Sequence, residues 1–414
     1  MRIKVTSDWD AIRAEITESF SPGAPVEEKD LFAGRAHQIN LLKDAVIQRG
    51  RHAIVYGERG VGKTSLANIL RLVLQHPQRE LVYVRVNADP QDTFASLWHK
   101  VFKRLSYADS AESGTMLRKV SDEVDANLSP DDVQLFFSQF SAAQIPVIVL
   151  DEFDRIQNKH VSTLVADTIK ALSDYSINAT IVIVGVAEDV STLINGHASV
   201  TRCLVQVQMP RMSTDELSEI VLARYRRCGV KTDEDAVWKI VYLSRGLPYY
   251  THLIAMHSAR YCLENRKIAV GHDDVDKALE RSIAELDQTI KSNYYAAVKG
   301  QRDDTLYASV LLACALTTAD EMGQFQQAAV AGPLNKLVIG KKYTASTYAV
   351  HMNSFCEASR ASVLQRSGNE RNYRYRFSDP MMQPFVILKG LSEGILNDAI
   401  AEVFTNKRQL KLNI

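Results

Sequence analysis

The sequence predicts a three-layer α/β domain with a mostly parallel sheet, followed by an all-helical segment and a smaller module of helices and a hairpin. Three observations carry the prediction. Five short apolar runs, at 52–56, 81–86, 146–150, 180–185 and 203–207, alternate with stretches that read as helices. That alternation belongs to strands buried between helical layers. The first run leads into Gly57–Glu58–Arg59–Gly60–Val61–Gly62–Lys63–Thr64–Ser65, and the third ends on Asp151–Glu152. After Pro210 the apolar runs stop and helical periodicity takes over. The order of the strands across the sheet is not written in any one run.

Residues 7–20 read as one helix, with Ser7 and Asp10 placed as a capping box and Trp9, Ile12, Ile16 and Phe20 on one face. Ser21–Pro22–Gly23–Ala24–Pro25 ends it. Its apolar face must dock, either on this chain or on a neighbouring subunit. A helix over 36–48 precedes the first strand, and a helix with a broad apolar face (Leu66, Ile69, Leu70, Leu72, Val73) starts at Lys63. Helix 91–105 follows the second strand. Residues 106–130, rich in Ser, Asp and Glu, read as a polar insertion before helix 131–143. Ser213 with Glu216 forms a capping box that opens a helical series at 214–227, 233–244, 248–264 and 273–296. Helices at 304–316, 324–338 and 344–357, a hairpin over 361–378 and a last helix over 392–405 complete the chain. The implied domains are 1–30, 31–210, 211–298, 299–390 and 391–414.

At 414 residues the chain exceeds one ordinary core. Lys+Arg and Asp+Glu balance at 49 each, so any nucleic-acid or membrane partner has to be met by a local patch. The five cysteines (Cys203, Cys228, Cys262, Cys314, Cys356) have no metal-ligand spacing and read as buried thiols of a reducing compartment. Neither an apolar leader nor a membrane-length apolar run is present, which predicts a cytoplasmic protein without membrane contact.

The Gly57–Ser65 stretch has the glycine, four residues, then glycine–lysine–threonine spacing of a phosphate-binding loop. Glycines let backbone N–H groups close around a phosphate where a Cβ would obstruct. Lys63 would set a cation between the β- and γ-phosphates, Thr64 would offer its hydroxyl to Mg²⁺, and the helix start aims its dipole at the anion. A chance match in a glycine-rich turn is the rival, and the strand–loop–helix context speaks against it. Asp151 would hold Mg²⁺, directly or through water, and Glu152 would polarise the attacking water. The rival there is a surface acid cluster in which Asp154 and Arg155 pair in solvent.

Phe32–Ala33–Gly34–Arg35, the Gly57–Ser65 loop and Val149–Leu150–Asp151–Glu152–Phe153–Asp154 together resemble an AAA+ ATPase over roughly residues 30–290. The branch most resembled is the origin-recognition and helicase-loader type, together with the related STAND switch ATPases. The resemblance implies a nucleotide site in which the 31–35 segment borders adenine and the helical domain closes as a lid. It also implies an arginine finger, which Arg202 before the fifth strand is placed to supply to a neighbouring subunit; the alternative is a solvated loop arginine. Two departures stand out. The fourth strand ends near Gly185, where most AAA+ proteins carry a polar sensor. The lid reads Arg245–Gly246–Leu247–Pro248–Tyr249–Tyr250, without the usual sensing arginine and closer to the Gly-x-Pro motif of STAND ATPases, in which proline touches the nucleotide. Helix capping alone also accounts for Gly246 and Pro248.

Residues 303–390 resemble the winged helix of origin-recognition ATPases. In the hairpin, alternation puts Tyr373, Tyr375 and Phe377 on one face and Arg374 and Arg376 on the other. With Arg366, Arg371, Lys341 and Lys342 nearby, the outward arginines would form a basic patch touching DNA phosphates, while helix 344–357 is offered to the major groove. Protein contact and a purely structural wing stay open beside that reading. The implied function is a slow, partner-stimulated ATPase switch using ATP and Mg²⁺, relayed through helix 273–296 to a DNA-engaging winged helix. A STAND-like signalling ATPase of a prokaryotic defence system, its winged helix meeting protein, is the alternative. Both imply ATP and ADP as ligands and self-association or a protein partner.

Overall fold

A computed structural model describes residues 7–23, 34–74, 78–108, 128–187, 190–194, 198–300, 306–320, 322–338, 340, 342–369 and 372–396. The chain forms two compact units, one of Pro25–Glu58 and Gly62–Pro210, the other of Met1–Ala24, Arg59–Val61 and Arg211–Ile414. The helix at Ser7–Ser19 is α1.

The first of these units carries helix α2 (Ala36–Ile47), strand β1 (His52–Gly57), α3 (Lys63–Val73), β2 (Glu80–Asn87), α4 (Phe94–Ala108), α5 (Pro130–Ser138), β3 (Gln144–Asp151), α6 (Lys159–Asp174) and β4 (Thr180–Val186). Two single turns, α7 (Val190–Leu193) and α8 (Ala198–Thr201), then lead to β5 (Leu204–Gln208). The strands lie in the order β2-β3-β4-β1-β5, every neighbour pair parallel. Helical layers cover both faces, which makes this a three-layer α/β sheet domain. β4 is therefore inserted between β1 and β3, and the C-terminal ends of β1 and β3 point the same way with one strand between them.

Alternation along each strand sorts its residues between the two layers. Ile54, Val84, Val86, Ile148, Leu150, Ile181 and Ile183 join the core shared with α4, α5 and α6. That core is filled by rings: Trp98 lies within 6.2 Å of Phe94, Phe102 and Phe137, centroid to centroid. Helix α4 runs three residues beyond its expected end, into what reads as a polar insertion; residues 109–127 of that insertion lie outside the described residues.

The second unit, besides α1, carries α9 (Thr214–Arg227), α10 (Glu234–Ser244), α11 (Pro248–Glu264), α12 (His272–Glu285) and α13 (Gln288–Val298). Ser213 and Glu216 exchange both bonds of the expected capping box, at 3.2 and 2.9 Å. Short strands β6 (Lys231–Thr232) and β7 (Ala269–Val270) pair in parallel among these helices. Helix α1 settles against α9 and α11 of its own chain: Phe20 meets Tyr225 edge-on at 5.6 Å, and Arg224 Nε donates to the Ser19 carbonyl at 3.0 Å.

One long helix over 273–296 is not what forms. Leu286 takes an extended conformation and is buried, and Asp287 accepts from the Thr289 N–H at 2.6 Å to start a new helix. A side chain that caps its own backbone competes with helix continuation, and here the cap wins.

The chain continues through α14 (Tyr307–Leu316), β8 (Phe325–Gln326), α15 (Ala331–Leu337), α16 (Ala345–Ser354), β9 (Leu364–Ser367), β10 (Arg374–Phe377) and α17 (Met382–Ser392). The helix expected over 324–338 is thus shorter, because Phe325–Gln326 pairs as a strand. Gly390 lets α17 close on α14; a Cβ there would come 2.8 Å from Leu312 Cδ2. The expected final helix over 392–405 lies mostly outside the described residues, and α17 occupies the segment before it. No helix among the described residues is long and apolar enough to cross a membrane.

Candidate nucleotide site

Strand β1 is buried except at half-buried Tyr56 and delivers Gly57 at its C-terminal end. A Cβ on Gly57 would fall 2.3 Å from the Met209 carbonyl oxygen, just beyond β5, so only glycine lets the chain leave the sheet here. Gly60 and Gly62 have φ of 85° and 93°, torsions that other residues rarely adopt, and Gly62 is the N-cap of α3. That N-terminus has no side-chain cap, so the positive end of the helix faces the loop. Lys63 is buried, and its Nζ donates to the carbonyls of Gly57 and Glu58 at 3.1 and 2.7 Å. A cation folded back onto its own loop is positioned to turn toward an incoming phosphate. Within the helical unit, the tip residue Arg59 lies 3.4 Å from Asp379, and Val61 is fully buried.

The second half of the site stands at the end of β3. Asp151 is 1% exposed. Its Oδ2 receives Nη2 and Nε of Arg85 on β2, at 2.8 and 3.1 Å, and its Oδ1 accepts the Glu152 N–H at 2.8 Å. Arg85 also donates to Asn68 on α3, one helical turn beyond Thr64. Asp151 is thereby tied to the stripe of α3 that carries Thr64. Helix α3 itself packs across β1, β4 and β3. A glycine loop at an uncapped helix start, a buried lysine and a buried carboxylate on the same side fit a triphosphate with its Mg²⁺. Thr64 and Asp151 would hold the metal.

Glu152 has φ 54°, which turns its side chain away from the strand; its Oε2 is 2.7 Å from Arg155 Nη1. Arg155 pairs with Glu152, whereas Asp154 accepts from the Val186 N–H at 2.8 Å and so caps the end of β4. Gly185 belongs to that contact, since a Cβ there would lie 3.1 Å from Asp154 Oδ1 and 2.7 Å from Leu193. Neither Gly185 nor Val186 offers a polar sensor beside the loop, although β4 pairs Tyr56 with Gly185 and Gly57 with Val186.

Residues 46–193 match the family model of the AAA domain. An ORC1-type DNA replication protein of Thermoplasma volcanium is 24% identical over 207 residues, which are 48% of this chain and 48% of that relative. The chain thus spans about half the length of the curated relative it matches. Among solved structures, the Aeropyrum pernix ORC2 protein, in ADPNP–ADP complexes, superposes with a TM-score of 0.50 at 14% identity, over 93% of this chain and 98% of that one. The Aeropyrum pernix ORC1 protein in complex with DNA gives 0.48 at 15% identity, over 95% and 98%. The fold is that of an AAA+ P-loop NTPase.

In the sheet unit, Arg35 is N-cap of α2 in a left-handed conformation, buried, and donates from Nη2 to the Pro210 carbonyl at 2.7 Å. Phe32 and Ala33 lie outside the described residues. Arg202 is exposed at the N-terminal end of β5, where His52 of β1 pairs with Leu204. That is the opposite end of the sheet from Gly57, about 17 Å along the strands, so Arg202 does not reach the Gly57–Ser65 loop of its own chain. In the helical unit, Arg245 and Gly246 both take positive φ and Pro248 is the first residue of α11, the geometry that capping requires.

The hairpin arginines are less free than alternation implies. Strand β10 is central, between β8 and β9, so Arg374 and Arg376 do not guard an edge. Tyr375 and Phe377 are buried as expected, but Arg374 pairs with Asp320 at 3.2 Å. Arg376 donates to Gln365, and Arg366 donates to Asn353 with its guanidinium 4.3 Å from the Tyr373 ring centre. Arg371 and Lys341 lie outside the described residues.

Reading the sequence missed Arg85 and Asn68. The signal was present: an arginine inside Leu81–Val86 must meet an anion or a carbonyl, because a charge on a half-buried strand is costly alone.

Proposed function

We propose that the chain is an ATP-binding and ATP-hydrolysing switch of the origin-recognition type. Its parts are a base domain at 31–210, a helical lid at 211–298 and a winged helix at 299–390 that engages duplex DNA. The observation that carries the reading is the pairing of the Gly57–Ser65 loop with Asp151–Glu152 at the C-terminal ends of β1 and β3, one strand apart. The ORC1-type relative supports the choice of branch.

In this reading the loop amides and Lys63 orient the triphosphate, Thr64 and Asp151 hold the metal, and Glu152 takes the proton of the attacking water. Bound Mg²⁺ supplies charge neutralisation at the β- and γ-phosphates. Glu152 must first leave Arg155, which favours slow basal turnover and stimulation by a partner. Arg202 of one copy completes the site of the next, so assembly belongs to the mechanism. Because 272–298 is two helices jointed at Leu286–Asp287, movement of the lid reaches the winged helix across a joint.

Lys63→Ala should lose nucleotide binding, and Glu152→Gln should retain it while hydrolysing slowly; full hydrolysis by Glu152→Gln removes that residue from the base role. Duplex binding across a salt series tests the partner. DNA engagement predicts a steep loss with salt that Arg374→Ala with Arg376→Ala flattens. Binding that is absent or insensitive to salt favours the STAND-like alternative, which Pro248 at the start of α11 and the internal pairing of the wing arginines support.

A further inference from the structure

Asp151 already has a cation. Two N–H groups of Arg85 converge on one carboxylate oxygen, and the same guanidinium reaches Asn68 on α3 and Asn87 on β2, the latter at 3.4 Å. Tyr83, two residues earlier on the same face of β2, donates to the Ala67 carbonyl of α3, so this face is built to hold α3. The Asp151 side chain is 2% exposed and that of Arg85 is 22% exposed. A carboxylate so buried is costly unless a positive charge meets it. A second cation arriving at that carboxylate is repelled by the guanidinium.

We propose that Arg85 is a positioning residue that serves as the resident counter-ion of Asp151 and competes with Mg²⁺ for it. The inference rests on the nucleotide-site reading above. Without metal, Arg85 holds the carboxylate at the end of β3 in its place. With Mg²⁺–nucleotide bound, Asp151 would serve the metal and the guanidinium would keep Asn68 and Asn87. Metal loading is thereby coupled to the contact between β2 and α3. In this scheme Arg85 acts through Asp151, not on phosphate or reacting water.

The test is a Mg²⁺ titration of the full chain with a fluorescent, non-hydrolysable ATP analogue, read as anisotropy. Removing the competing charge in Arg85→Met should lower the Mg²⁺ concentration at half-saturation by roughly tenfold. Arg85→Lys keeps one point charge without the fork, is the safer variant for folding, and should shift the midpoint the same way by less. In an Asp151→Asn background, Arg85→Lys should shift it not at all. An unchanged or raised midpoint in folded Arg85→Lys or Arg85→Met overturns the proposal and leaves Arg85 a structural prop. A shift that persists with Asp151→Asn also overturns it, because the effect would not pass through Asp151. Failure of the unaltered chain to bind the analogue at any Mg²⁺ concentration overturns the nucleotide reading and this inference with it. Binding by the unaltered chain with a fixed midpoint in the variants overturns the inference alone.

Discussion

His52 opens β1 and is fully buried. Its Nδ1 accepts the Ile181 N–H of β4 at 3.0 Å, which places the ring proton on Nε2, where no partner among the described residues meets it. Burial lowers its pKa from 6.5 to about 3. The folded state therefore favours neutral imidazole, and the unfolded chain binds a proton first as pH falls. The contribution of His52 is fully present above pH 6.5 and is lost on descent toward pH 3. Between pH 7.5 and 4.5 about two pKa units are crossed, worth about 2.7 kcal/mol. Other groups also titrate, so the measurement is a difference: urea unfolding of the natural chain and of His52→Asn at both pH values. Asparagine keeps an acceptor for Ile181 and has no titration. At pH 7.5 the variant should be the less stable; at pH 4.5 the gap should have moved in its favour by about 2.7 kcal/mol. A gap that stays constant would refute a neutral, desolvated His52.

Gly57→Ala forces a Cβ against the Met209 carbonyl; it should cost about 1–3 kcal/mol in urea unfolding and weaken nucleotide binding in the same protein. Retention of both would mean that the loop departs from β1 differently. Trp98→Ala empties the centre of the ring cluster between the sheet and α4–α5, and should lower stability by about 3–5 kcal/mol without moving the Mg²⁺ midpoint. Arg155→Ala frees Glu152 and should raise basal ATP turnover in steady-state kinetics; unchanged turnover would show that the ion pair does not restrain the base.

What was legible follows from how local the determining physics is. The five strands and the Gly57–Ser65 loop are visible because each is specified by residues within one short window. The Ser213–Glu216 cap is legible for the same reason. The order β2-β3-β4-β1-β5 is not local at all; it depends on which buried faces meet. The break at Leu286–Asp287 hides because Leu286 continues an apolar pattern while leaving the helix. Two-residue strands such as Lys231–Thr232 and Ala269–Val270 are too short to show a period of two. In the site, the acid pair was visible at the end of an apolar run, but its counter-ion sits 66 residues earlier. The same distance problem affects the hairpin: Arg374 reads as an outward charge until Asp320, 54 residues upstream, comes beside it.

Helix α1 carries a practical lesson for anyone trimming this protein. Its last carbonyl but one in the Ile16–Phe20 turn accepts from Arg224, a side chain with 1% exposure, and Phe20 plugs the space beside Tyr225 and His252. Cutting the chain after residue 24 would leave a guanidinium deprived of that acceptor and an oily socket open to water. Such a fragment should clump or co-purify with folding helpers even if its sheet unit were intact, so shortened versions ought to begin ahead of Ser7.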